Sequence, residues 1–84
     1  MSGMLKVSVI SPEATLFEGE APSVTAPAFD GEVGILPQHA PMVTVLGTGE
    51  LRIGEGTARF QVEGGFLQVV DDVVRVVTEK ASRA

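Results

Sequence analysis

Eighty-four residues suffice for one domain and one core, so the span 1–84 reads as a single unit with a thin interior. Six basic residues against eleven acidic ones leave a net charge of −5, which excludes a surface built to track nucleic-acid phosphates. The absence of cysteine excludes a disulfide scaffold and a thiolate metal site, and no apolar stretch reaches the roughly 18–20 residues that span a bilayer as a helix.

The chain opens with Met1-Ser2-Gly3-Met4-Leu5-Lys6, which lacks the basic head and apolar run of a secretory signal and reads as a mature cytoplasmic start. Leu5, Val7 and Val9 then alternate with Lys6 and Ser8, the period of a half-buried strand, and Ser11-Pro12-Glu13 supplies a turn. Thr15 to Ala28 reads as extended with a bend near Pro22, Pro22 and Pro27 marking places where no ladder donor is needed. Asp30-Gly31 predicts a hairpin, because its tight turn needs positive φ, and Val33, Ile35 and Leu36 form the return strand. Gln38-His39-Ala40-Pro41 makes an irregular corner, and Met42 to Leu46 a further short strand.

Gly47-Thr48-Gly49 and Gly54-Glu55-Gly56 bracket Leu51-Arg52-Ile53, which predicts a short strand between two tight turns. Ala58, Phe60 and Val62 alternate with Arg59, Gln61 and Glu63 in the clearest half-buried strand of the chain. Gly64-Gly65 predicts a bulge or a close backbone approach before Phe66 to Val70 resumes the strand. Asp71-Asp72 turns the chain into a valine-rich strand from Val73 to Thr78, and Lys80 to Ala84 reads as a frayed tail. The pattern is that of an antiparallel all-β sandwich or barrel.

Chemistry is sparse. His39 is the lone histidine and no serine sits in a Gly-x-Ser-x-Gly elbow, so nucleophile, base and orienter do not come together. His39 reads as a loop imidazole bonded to backbone or offered to a partner. One histidine without cysteine cannot furnish a zinc or iron site, and Asp30-x-Glu32 and Asp71-Asp72 lack the spacing of a calcium loop. Ten glycines include no Gly-x-Gly-x-x-Gly and no phosphate-loop motif, so their role is to permit turns. No cofactor is expected.

Apolar surface is the stronger signal. Val73 and Val77 point opposite to Val74 and Val76, and the adjacent pairs Phe66–Leu67 and Met42–Val43 must also diverge, so a second sticky face beyond the core is expected. Loops of the same domain covering both faces are the plainer alternative.

Ser11-Pro12-Glu13, Phe17-Glu18-Gly19, Asp30-Gly31-Glu32-Val33-Gly34-Ile35-Leu36-Pro37-Gln38-His39-Ala40-Pro41, Gly49-x-Leu51-Arg52-Ile53 and Gly64-Gly65-Phe66 resemble the epsilon subunit of F-type ATP synthase. The likeness covers essentially the whole chain, and its long central block is far more specific than any glycine spacing. It implies a flattened sandwich of two five-stranded sheets, the family's amino-terminal domain. It also implies a non-catalytic rotor role, docking on the gamma subunit and the c-ring at the foot of the central stalk and coupling ion flow to ATP synthesis. That complex is expected on the cytoplasmic face of the bacterial inner membrane, with membrane association only through the complex.

Carried over by position, Asp30, Gly31 and Glu32 resemble the loop that faces the c-ring, and Ser11, His39, Met42, Val43 and Thr44 resemble positions that face gamma. The family usually continues into a carboxyl-terminal helical hairpin, whereas this sequence stops at Ala84, as a short form or a cut at the domain boundary. The competing expectation is a free-standing β-sandwich module for a ligand or peptide. It is disfavoured because tryptophan and tyrosine are absent and Phe17, Phe29, Phe60 and Phe66 mostly fall where a core would use them.

Overall fold

The computed structural model describes residues 3–54 and 56–83; Met1 and Ser2 of the expected start, Glu55 of the Gly54–Gly56 turn and Ala84 of the expected tail lie outside it. Eight strands follow in order: β1 Leu5–Ile10, β2 Thr15–Ala21, β3 Val24–Ala28, β4 Gly31–Ile35, β5 Met42–Val45, β6 Thr48–Ile53, β7 Ala58–Val70 and β8 Val73–Arg83. Hydrogen bonding runs continuously through β2-β1-β8-β7-β6-β3-β4, with β5 paired to β7.

The long strands β7 and β8 belong to both layers of the sandwich. Their far halves, Gly65–Val70 and Val73–Thr78, lie between β5 on one side and β1–β2 on the other, while their near halves, Phe60–Glu63 and Lys80–Arg83, continue into β6, β3 and β4. Counting β7 and β8 once in each, the first layer is β2-β1-β8-β7-β5 and the second β8-β7-β6-β3-β4, the five-and-five arrangement that the family resemblance implies. Pairing is antiparallel except between β1 and β8, which run parallel. Parallel neighbours cannot be joined by a hairpin, so β1 and β8 meet only after most of the chain has been laid down.

Facing sides close over Leu5, Val7, Val9, Val24, Ile35, Leu51, Ile53, Phe60, Val62, Leu67, Val69, Val74 and Val76, all at or below 2% exposure. At about 25 cal/mol per Å² of apolar area removed from water, this dry interior is the principal stabilising term. In β7 the buried positions are 58, 60 and 62 before the bend and 67 and 69 after it. The alternation changes parity as the strand crosses between layers.

Gly64 and Gly65 make that crossing possible. Their φ angles are +73° and +109°, and a Cβ on Gly65 would drive into the carbonyl oxygen of Val77 on β8. The expected close approach is therefore present, but β7 keeps one register with β8 on both sides of the glycines, so no residue is bulged out. Two further expectations are corrected. Thr48 and Gly49 do not form a hairpin turn: Leu46 N–H donates to Gly65 O at 2.9 Å and Gly64 N–H to Gly47 O at 3.2 Å, so β5 and β6 run on along β7 as one broken strand. Lys80 to Arg83 is not a frayed tail, because the inward Ala81 packs on the core and the segment pairs with Phe60–Glu63.

Candidate docking surface

The outer face of the first layer carries what the core does not use. Cross-strand partners place Val45 of β5 beside Phe66 of β7, Phe66 beside Val77 of β8, and Val77 beside Ile10 of β1. Four strands at about 4.8 Å spacing make this an apolar row about 14 Å long. Val45 is 58% and Phe66 40% exposed, and Val77 and Ile10 are half-buried. A parallel row, Val43–Gln68–Arg75–Ser8, sets polar groups behind the exposed Val43, and a third adds Val70 and Val73 next to Lys6. An apolar surface rimmed by polar side chains is the usual face of a protein contact.

The expected gamma-facing residues spread around this row. Met42, Val43 and Thr44 lie on β5, the edge strand of the layer; Met42 packs against the core, Thr44 is half-buried and Val43 is 68% exposed. Ser11 follows Ile10 at the other end of the apolar row, where its N–H and hydroxyl both donate to Ala14 O, at 2.9 and 3.3 Å. His39 lies at the opposite end of the layer, beside the β7–β8 turn. Its Nδ1 is 2.7 Å from Ala40 O, and the neighbouring Gln38 N–H donates to Asp72 Oδ1 at 2.6 Å. The structure thus joins Ser11 to β5 through the row and leaves His39 about one strand length away.

Asp30, Gly31 and Glu32 form the exposed tip of the β3–β4 hairpin, with Gly31 at φ +132°. Glu32 pairs with Arg52 at 3.3 Å, both side chains largely in water, where such a pair contributes little. The hairpin is anchored to β5 by Phe29 N–H donating to Val45 O at 3.0 Å, so the turn stands beside the end of the apolar row.

Sequence reasoning missed Phe29. The expectation that the phenylalanines mostly serve the core holds for Phe60 and, in part, for Phe17; Phe29 is 69% exposed and Phe66 lies on the outer face. The signal was available, since Phe29 abuts the Asp30-Gly31 turn and a residue at a hairpin tip has no opposite layer to pack on. Among the described residues, no group of three or more His, Cys, Asp or Glu side chains is placed to hold a metal ion.

The family model for the ATP synthase delta/epsilon chain β-sandwich domain matches residues 4–84. The ATP synthase epsilon chain of Leptospira borgpetersenii is 49% identical over 89% of this chain, and that of Desulforamulus reducens 41% identical over its whole length. The matched parts make up 61% and 65% of those proteins, so the chain spans about three fifths of the curated relatives it matches. Among solved structures, a chain of the Euglena gracilis mitochondrial ATP synthase, determined with OSCP, F1 and the c-ring, superposes with a TM-score of 0.88 at 24% identity, covering 99% of this chain and 55% of that one. A chain from the central stalk and c-ring of the Tetrahymena thermophila mitochondrial ATP synthase gives 0.79 at 17% identity, covering 94% and 66%. The solved structures share the fold and the relatives share the sequence across both layers: the chain belongs to the ATP synthase delta/epsilon family and is built as its β-sandwich domain.

Proposed function

We propose that this chain is a non-catalytic docking domain in the central-stalk rotor of an F-type ATP synthase. The outer face of the first layer seats the gamma subunit, and the Asp30–Glu32 turn faces the c-ring. The observation that carries the reading is the contiguous apolar row Val45–Phe66–Val77–Ile10 on the outer face, exposed at Val45 and Phe66, on a chain whose family is established. Of the residues expected to meet gamma, Val43 offers its side chain on this face, Met42 and Thr44 offer the β5 edge, and Ser11 closes the far end. His39 extends the contact toward the β7–β8 turn.

The role is mechanical. Tying shaft to ring makes ion flow turn both as one body, and the domain is peripheral to the membrane, on the cytoplasmic face in bacteria, through the complex alone. A free-standing binding module gains no support from a family match spanning 4–84. Co-purification with gamma and the c-ring tests the proposal: Phe66→Glu, on the exposed row, is expected to abolish gamma capture while leaving the thermal melt within a few degrees of wild type. Capture at wild-type levels by that variant would overturn the assignment of this face.

A further inference from the structure

The outer face of the second layer differs in kind from that of the first. Arg59 on β7 stands directly opposite Arg52 on β6, and Arg52 directly opposite Thr25 on β3. Like charges across a strand pair are unfavourable, so two of the six basic residues of a chain of net charge −5 meet where sheet stability alone would separate them. Arg52 reaches Glu32 through Nη2, at 3.3 and 3.5 Å, whereas Arg59 has no ion-pair partner among the described residues.

These arginines line a polar depression of about 410 Å³ together with Ser23, Thr25, Gly54 and Gly56. The Ser23 carbonyl is engaged by Gly54 N–H at 2.8 Å, which fixes the floor, and the hydroxyls of Ser23 and Thr25 have no hydrogen-bond partner among the described residues. The row ends at Gly34 of β4, where no side chain closes the hollow. Two arginines and two hydroxyls without partners among the described residues line one hollow, the donor types that bind a tetrahedral oxyanion.

From this geometry we infer that the Arg52–Arg59 depression binds a phosphate group. Arg59 supplies the uncommitted charge, Arg52 shares its fork with Glu32, and Ser23 and Thr25 donate hydroxyl hydrogen bonds. A free phosphate and the headgroup of a phosphatidic acid present the same chemistry. Bound charge also relieves the repulsion between the two arginines.

The test is an amide and arginine Nε NMR titration of the purified chain with inorganic phosphate at fixed ionic strength, paired with co-sedimentation on phosphatidic acid and on neutral phosphatidylcholine vesicles. Saturable shifts confined to Ser23, Thr25, Arg52 and Arg59 assign free phosphate; retention on the phosphatidic acid vesicles alone assigns the headgroup. In either case Arg59→Gln weakens binding about tenfold, the loss of one charge-assisted bond, while Arg75→Gln on the first layer leaves it unchanged. Non-saturating shifts, an Arg59→Gln variant that binds like wild type, or binding of an acidic peptide but not of phosphate would overturn the inference. Arg59 is exposed and outside the core, so an unchanged melt certifies that the variant is folded.

Discussion

At the scale of single residues, two positions decide whether the layers close. Phe60 is 2% exposed and is the largest of the fully buried side chains; Arg83 caps its ring, with its guanidinium 5.4 Å from the centroid. Phe60→Ala is expected to cost about 3–5 kcal/mol by denaturant unfolding, from lost transfer energy and the cavity left behind. Near-unchanged unfolding would remove β7 from the core. Gly65→Ala adds only a methyl group, yet it must abandon φ +109° or push aside the Val77 carbonyl of the neighbouring strand. Backbone strain and overpacking together are expected to cost about 3 kcal/mol or more. A Gly34→Ala control meets nothing within 4 Å and carries no positive φ, so it separates a local clash from a general cost of losing glycine.

At the scale of elements, alternation made most strands legible. Leu5–Val9 and Ala58–Val62 bury every second side chain as their sequence says, and Val74 and Val76 point inward while Val73 and Val77 point out. What pattern could not convey was continuity across the bend. The glycines at 47, 49, 64 and 65 look like turn signals, but they let three neighbouring strands cross from layer to layer in one register, a property of the pairing and invisible in any single segment. The tail misled for a related reason: Lys80, Ser82 and Arg83 are polar, and on the inward side only Ala81 is apolar, with Arg83 laid over the Phe60 ring beyond it. A chain ending at Glu79 is therefore expected to lose about 2 kcal/mol, from the uncovered Val62 and the broken ladder, and to melt roughly 10 °C lower. An unchanged melting temperature would mean that the last strand ends at Thr78 after all.

At the scale of the whole molecule, the two outer faces are unequal and the Asp30–Glu32 hairpin stands where they meet. Its charge was plain in the sequence, but its place was not: the link through Phe29 and Val45 spans two layers and depends on β5 following β7. Glu32 is exposed and its ion pair with Arg52 lies in water, so reversing it should cost little stability. Glu32→Lys sets like charges against Arg52 and presents a cation where the proposed c-ring contact meets a carboxylate. The expected outcome is a normal melt, normal capture of gamma, and reduced association with the c-ring accompanied by lower proton-driven ATP synthesis in membrane vesicles. A neutral Glu32→Gln variant should fall between the two, since it removes attraction without adding repulsion. Wild-type ring association and synthesis in Glu32→Lys would detach this hairpin from the ring, while gamma capture in the same preparation would still report on the apolar row, so the two halves of the docking proposal stand or fall separately.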